Sequence, residues 1–510
     1  MTSGAALAAG APAGGPQAFD DVYAAAAGTP LRVAAGQGVV ANDVTDYQAG
    51  RTVVCSTDAA HGSVTVAADG SFTYVPDPGF TGEDTFTYTV TDAVTLHPTV
   101  VAPLATIGGT TIPGGAFGSA LTPVPGVEGE FYGLTDRGPN VDGPNGEKVA
   151  PLPGFVPAIG RFRLVRDADG PRAELLATIP LRAADGVPCD GQVNPLARTG
   201  ETIVDLDGQV LPTSPQGYDP EGLVALPDGT FWVSDEQGPF LTHFAADGRA
   251  LERLSPRLGT LPRELADRFP NRGMEGLTLT PDGRTLVGIL QSALQVPGGT
   301  GNTFDDPLLR IVTVDLETRR TRQFAYLLDD PSTNSGAVSE ITAVSDTEFL
   351  VVERDGGFGA DSFKRLFRID LAGASDISGR GTDELETRTA TADTATAAGL
   401  LAAAGVTPVA EEPALDVSGL VWDLDPQGGF FAHDKIEGVA TIDGGTTLVL
   451  ANDSDFGIPG VVGDEPPYQL EPKLLPDGRQ DDGAVLVLDT TRLTDGRART
   501  AQATVRGQVR

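Results

Sequence analysis

DPEGLVALPDGTFWVSDEQGP, residues Asp219–Pro239, places two short apolar runs, Leu223–Leu226 and Thr230–Val233, on either side of Pro227-Asp228-Gly229. Glycine at the third loop position supplies the positive φ of a bulged hairpin, so the stretch reads as two antiparallel strands. Glu221 opens the first strand and Ser234-Asp235-Glu236 close the second. Antiparallel pairing brings these carboxylates to one end of the hairpin.

The plan returns in GMEGLTLTPDGRTLVGILQ (Gly273–Gln291), VSEITAVSDTEFLVVERDGG (Val338–Gly357) and KIEGVATIDGGTTLVLANDSDFG (Lys435–Gly457), led by Glu275, Glu340 and Glu437. A fifth copy lacks the leading glutamate and ends in FYGLTDRGPN, where Asp136 and Arg137 stand at the positions of Asp235 and Glu236. A β-unit repeated at irregular intervals with long connections predicts radial repetition of small antiparallel sheets, a β-propeller. Six blades is the preferred count, with five or seven left open. GAVLVLDT (Gly483–Thr490) is the last strand, suited to closing the ring with strand material from the N-terminal side.

Residues 18–93 carry a different pattern. LRVAAG, TVVCST, GSVTVAADGSFTYVPD and DTFTYTVTDA alternate apolar and polar residues between turns, which predicts a small antiparallel sandwich. GVVANDVTD followed by AHGSVTVAADGSFTYVPDPGFTGEDTFTYTVTD resembles bacterial Ig-like or cadherin-like modules of exported and cell-surface proteins. That resemblance implies a spacer or adhesion role, with Asn42, Asp43, Asp46 and Asp92 as either calcium-ligating oxygens or turn residues. The expected organisation is a flexible tail at 1–17, the sandwich at 18–93, a connector near 93–98, the propeller at 99–492 and a C-terminal tail at 493–510. Arg182–Tyr218 reads as a long loop over one face, Thr382–Ala410 as a helical excursion or a mobile surface segment, and LDVSGLVWDL as a return to strand.

Composition narrows the function. The 510 residues are 40% hydrophobic and 21% charged, which is globular, and 70 Asp plus Glu against 35 Lys plus Arg give a formal charge of −35. Such a balance opposes nonspecific nucleic-acid binding and favours cations or solubility in salt. No run reaches transmembrane length. Two cysteines, Cys55 and Cys189, fall in different predicted domains, so no disulfide is expected. The opening MTSGAALAAGAPAGGPQ has neither a basic start nor a sustained apolar core, so it does not read as an intact secretory signal.

If the inner strands line a central channel, the hairpin ends ring one mouth of it with Asp136, Arg137, Glu221, Asp235, Glu236, Arg272, Glu275, Glu340, Glu353, Arg354, Asp355, Lys435, Glu437, Asn452, Asp453 and Asp455. So many carboxylates need counter-charge. Arg137, Arg272, Arg354 and Lys435 supply part, and an oxygen-ligated hard cation, Ca²⁺ before Mg²⁺, is the natural remainder. The competing reading has each glutamate bonding backbone amides of a neighbouring blade. His433, beside Lys435, is either a base at the mouth or a structural residue.

Taken together, YGLTDRGPN, DPEGLVALPDGTFWVSDEQGP, GMEGLTLTPDGRTLV, SEITAVSDTEFLVVERD and KIEGVATIDGGTTLVLANDSDFG resemble the phytase-like domain labelled as having esterase-like activity of phytase. The resemblance implies a propeller that hydrolyses phosphate esters with Ca²⁺ and a water nucleophile. On it, Asp136, Glu221, Asp235, Glu275, Glu340, Glu437, Asp453 and Asp455 are expected metal ligands, and Arg137, Arg272, Arg354 and Lys435 phosphate contacts. Glu221, Glu437, Arg137, Arg354 and Lys435 carry the expected catalysis. The third copy departs from the pattern, with Gln291 and Ser292 where the others have acids. The alternatives are a non-catalytic ligand-binding or adhesion protein and a metal-dependent carboxyl esterase or lactonase. The expected partner is a small phosphate or carboxyl ester, and the expected location is secreted, periplasmic or cell-surface.

Overall fold

Each hairpin copy forms the two innermost strands of a four-stranded antiparallel sheet, and five such sheets close into a ring. The computed structural model describes residues 16–44, 51–167, 170–296, 303–442, 445–493 and 498–508. The tail expected at 1–17 lies almost wholly outside them, and Asp46 lies outside them.

Blade one contains Ala120–Pro123, Glu130–Leu134, Ala158–Asp167 and Gly170–Pro180. Blade two contains Pro220–Ala225, Phe231–Asp235, Leu241–Phe244 and Ala250–Leu254. Blade three is Met274–Leu279, Thr285–Leu290, Leu308–Asp315 and Thr321–Leu327. Blade four is Ala337–Ala343, Glu348–Arg354, Lys364–Asp370 and Ala410–Asp416. Blade five joins Gly438–Ile442, Thr447–Ala451 and Ala484–Asp489 to Val94–Val100, a strand from before the ring. The blade count is therefore five, not six. Of residues 93–98, expected as a connector, 94–98 belong to the strand that closes the propeller.

Apolar residues of adjacent sheets face each other and make the core. Val224, Trp232 and Leu241 of blade two pack on Leu277, Leu286 and Val312 of blade three. Val287, Ile289 and Ile311 meet Ile341, Phe349 and Val351 of blade four. Strands covered on both faces need continuous apolar runs, which is why these stretches do not alternate. Gly229 takes the positive φ, +85°, that its hairpin loop requires.

The N-terminal module has two sheets, one of Leu31–Val33, Phe72–Pro76 and Gly62–Val66. The other runs Asp21–Ala26, Ala498–Gln508, Gly82–Thr91, Thr52–Ser56 across the sheet. The expected C-terminal tail thus contains a strand that lies between two N-terminal strands, parallel to the first and antiparallel to Gly82–Thr91. Its alternation explains the placement: Ala501, Ala503 and Val505 are buried while Gln502 and Arg506 are exposed. The propeller is consequently an insertion between two paired strands of the sandwich. Its entry and exit are also neighbours, because Val94 pairs with Leu488 and Asp92 is salt-bridged to Arg492 at 2.6 Å.

Asp43 accepts from Phe19 N at 2.8 Å and from Tyr88 Oη, and Asn42 Nδ2 donates to Asp20 O at 3.3 Å. With Asp92 paired to Arg492, these three serve the fold of the module and its junction. Leu385–Thr389 and Thr394–Ala403 supply the helical excursion. LDVSGLVWDL, however, is mostly the helix Val417–Leu424: Asp416 caps it through Gly419 N, and Val417, Leu420, Val421 and Leu424 form its buried face. Both cysteines are free thiols. Among the described residues no helix is long and apolar enough to cross a membrane.

Candidate functional site

The inner strands of blades two, three and five begin with a glutamate followed by glycine, and the glycine sets how tightly the ring closes. A Cβ on Gly222 would stand 2.6 Å from Leu277 N, and one on Gly276 would stand 2.6 Å from Ile341 N. Only glycine lets the backbones approach so closely. In blades two and three the ladder also shifts register at the strand start, between Pro220 and Leu223 and between Met274 and Gly276. Such bulges re-aim side chains, and here Glu221 and Glu275 line the channel mouth.

The mouth is a cavity of about 340 Å³ lined by Asp136, Arg137, Asn140, Asp142, Lys148, Asp219, Glu221, Glu236, Asn271, Arg272, Glu275, Gln291, Arg354, Lys435, Glu437, Asp453 and Asp455, with Val141, Ile458 and Pro459. Most of the expected residues are brought together. Carboxylate oxygens of Glu221, Glu275 and Glu437 lie within 4.8 Å of one another, as do those of Asp219, Glu221 and Glu236. Glu275 Oε1 accepts from Gln291 at 2.7 Å, whereas its Oε2 is buried without a hydrogen-bond partner. Gln291, which breaks the acidic pattern of the hairpin exits, therefore orients a glutamate.

Two expected metal ligands are not at the cavity. Asp235 accepts from Asp219 N at 2.8 Å and from Gly238 N, which fixes the two ends of its own hairpin. Glu340 accepts from Leu277 N at 3.0 Å and from Ile341 N at 2.9 Å, tying blade four to blade three. Here the backbone-amide reading holds. The signal was the next residue: Glu340 precedes isoleucine, whereas Glu221, Glu275 and Glu437 precede glycine.

Three of the four expected phosphate contacts are engaged in ion pairs. Arg137 bonds Glu201 at 2.6 Å and lies 3.5 Å from Asp219. Arg354 donates to Ser339 Oγ at 2.8 Å and to Glu437. Lys435 bridges Asp453 at 3.2 Å and Asp455 at 2.5 Å. Arg272 makes no ion pair among the described residues and lies over the Phe304 ring, 3.8 Å from its centroid. Burial first, then the nearby Arg354, lowers its pKa.

Burial sets much of the electrostatics. It pushes the pKa of Glu221 and Glu275 well up, and each is raised further by neighbouring carboxylates, Glu275 foremost for Glu221 and Glu236 foremost for Glu275. Asp136 is raised well above the usual range by burial, Asp453 and Asp219. Burial and Asp219 push Glu236 up to about 8; burial and Asp455 push Asp453 up to about 7. Burial alone would raise Asp455 too, but Lys435 and Lys473 outweigh it and hold that carboxyl below the usual range.

Residues outside the repeats complete the rim. Glu201 comes from the long loop 182–218, whose Ile203–Val204 pairs in parallel with Lys148–Val149. Val141, Val149, Val204, Phe456, Ile458 and Tyr468 pack as a small core over the rim. Asp455 and Phe456 hold positive φ, +48° and +53°, in the turn that brings Asp455 to the lysines. His433 is buried, hydrogen-bonded to Asp481 at 2.8 Å and absent from the cavity lining, so it is structural. Asp219 and Glu201 were missed as candidates; the former is the residue before the Pro-Glu-Gly run, and nothing in its sequence marks the latter.

A profile described as Phytase-like, esterase-like activity of phytase, matches residues 112–456, and one described as a bacterial cadherin-like domain matches residues 14–102. An "Uncharacterized secreted protein" of Arthroderma benhamiae is 27% identical over 285 residues, or 46% of this chain. The chain spans 56% of that relative's length. Among solved structures, virginiamycin B lyase from Staphylococcus aureus aligns with 90% of this chain and 98% of its own at 11% identity and a TM-score of 0.26. A nidogen/laminin complex chain covers 56% of this chain and 90% of its own at 14% identity and a TM-score of 0.26. At such scores the fold assignment stands on the strand pairing above. The 112–456 match takes in more than half of the sequence, and on it the chain belongs to the Phytase-like family.

Proposed function

We propose that this chain is an extracytoplasmic, divalent-cation-dependent hydrolase of phosphate esters, with Ca²⁺ held at the mouth of the propeller channel. The observation that carries the reading is the convergence of Glu221, Glu275 and Glu437 from three blades, with oxygens within 4.8 Å of one another and Glu275 Oε2 left buried and unpaired. An all-carboxylate donor set suits a hard cation, and Ca²⁺ accepts many protein oxygens in flexible geometry where Mg²⁺ keeps several of its waters. Zinc would prefer histidine or cysteine ligands, and among the described residues neither lines the cavity. The residues therefore fit calcium.

When bound, such an ion supplies neutralisation of phosphoryl charge and acidification of water. The remaining work belongs to the protein. Arg272, free of ion pairs among the described residues, is placed to hold a phosphoryl oxygen. Asp136, its pKa raised by burial and by Asp453 and Asp219, is the candidate general acid for a departing alkoxide. Arg354 holds Glu437 in position, and Lys435 does the same for Asp453 and Asp455. Location outside the cytoplasm is supported by the cadherin-like module and by the printed name of the fungal relative.

The test is phosphate release from a panel of phosphate monoesters, assayed beside carboxyl esters and lactones. Release that stops with chelator and returns with Ca²⁺ is expected. Cleavage of carboxyl esters or lactones alone would overturn the substrate class, and binding without any turnover would overturn the enzyme.

A further inference from the structure

We infer that the cavity takes two divalent cations that share Glu221 as a common ligand, the second ion being held by Asp219 and Glu236. The inference rests on the cation-dependent reading above and adds the number of ions and the residue between them. Glu221 belongs to both carboxylate triads, and it is the residue they have in common. A carboxylate has two oxygens, so one glutamate can face an ion on each side.

The two triads are assembled differently. Glu221, Glu275 and Glu437 come from blades two, three and five. Asp219, Glu221 and Glu236 all come from blade two, where antiparallel pairing sets Pro220 opposite Asp235. A backbone bond from Glu236 N to Asp219 O, 2.9 Å, closes this end of the hairpin. Arg137 then orients Asp219, donating its backbone N–H to Oδ1 at 3.3 Å with its guanidinium 3.5 Å from Oδ2. Arg137 is itself held by Glu201. It acts as a positioning residue for the second ion.

Glu236 supplies an independent observation. It is 4% exposed and lines the cavity, yet its carboxylate has no hydrogen bond or ion pair among the described residues. A buried carboxylate without a direct partner is costly: Arg137 is engaged by Glu201 and Asp219, and Arg272 acts on Glu236 only from beyond ion-pair distance. A cation on the Asp219 side gives it the missing partner.

Charge points to the same number. Nine carboxylates and five cationic side chains line the cavity, an excess of four negative charges when all are ionised. One divalent ion leaves half of that excess, which still repels an anionic substrate; two cancel it. The Asp453 and Asp455 side of the cavity needs no further ion, because Lys435 and Lys473 already occupy it.

The experiment is calorimetric titration of the chelator-treated, dialysed full chain with Ca²⁺, at an ionic strength high enough to suppress weak surface binding. Two ions per chain are expected for the wild type, and one each for Glu236→Gln and Glu275→Gln. Glu221→Gln should weaken both sites about tenfold or more. Thermal unfolding without metal establishes that each variant is folded. One ion per wild-type chain overturns the inference and leaves the proposed function standing; none overturns both. Two ions in Glu236→Gln, or loss of a single site in Glu221→Gln, refutes the shared ligand. Crystals soaked in Mn²⁺ should show two anomalous peaks flanking Glu221, and a single peak counts against the pair.

Discussion

Arg354 of blade four reaches across the channel mouth to Glu437 of blade five, donating Nη2 to Oε1 while its Nε is held by Ser339 Oγ. The guanidinium is thus fixed at both ends. Breaking a buried pair from one side leaves an unpaired charge, at about 3–5 kcal/mol. Arg354→Met should lower the unfolding free energy by that order in chelator, and Ca²⁺ should restore part of it by neutralising Glu437. Denaturant melts with and without Ca²⁺ measure both quantities. Equal losses in the two conditions would mean that no cation reaches Glu437.

Arg272 makes no ion pair among the described residues, so its replacement leaves no carboxylate behind. A charge-assisted contact is worth about 1.5–3 kcal/mol, so Arg272→Met should raise KM for a phosphate monoester by about tenfold to a hundredfold. Calcium affinity should stay within about twofold, as for a residue outside the metal ligands. An unchanged KM would show that the phosphoryl group sits elsewhere.

Asp453 links stability to pH. Its folded pKa of about 7, raised by burial and Asp455, lies above the usual aspartate value of 3.8. The stabilisation from the extra proton is therefore complete below pH ~4 and is lost as pH rises through ~7. The metal-free protein should melt at a lower temperature at pH 8 than at pH 5, and Asp453→Asn should shrink that difference. The same pH dependence in variant and wild type would assign it to another group.

Gly276 has room for hydrogen alone, since a Cβ would meet Ile341 N at 2.6 Å and Glu340 Oε1 at 2.8 Å. Gly276→Ala must push blade four away from blade three. Overpacking of this kind costs about 1–3 kcal/mol, and displacing Glu275 should weaken calcium binding as well. Normal affinity in a destabilised variant would show that the ring tolerates the shift.

Removing residues 494–510 takes the strand Ala498–Gln508 from the middle of a four-stranded sheet. The remaining strands Asp21–Ala26 and Gly82–Thr91 lose their shared partner. Limited proteolysis should then cut within residues 18–91 while the blades stay protected. Undiminished resistance of that region would show that the module closes without its last strand.

Repetition made the propeller legible. Five stretches with the same turn chemistry and polar exits have one physical use, as inner hairpins of sheets arranged about an axis, and strand period and hairpin loops are local properties. Gly222, Gly276 and Gly438 beside their glutamates also marked three of the carboxylates that reach the cavity. The helix Val417–Leu424 was misread because a short apolar run fits either period until Asp416 caps it.

The chain's order of residues thus settled the type of sheet, the turns and the acidic character of one channel mouth, since each follows from local spacing. Blade number, the engagement of Arg137, Arg354 and Lys435, and the diversion of Asp235 and Glu340 into backbone contacts were decided only in three dimensions. They depend on which groups compete for the same partner across blades. The last strand shows this most plainly: Ala498–Gln508 finds its place only beside residues more than 400 positions earlier, a pairing that no local pattern encodes.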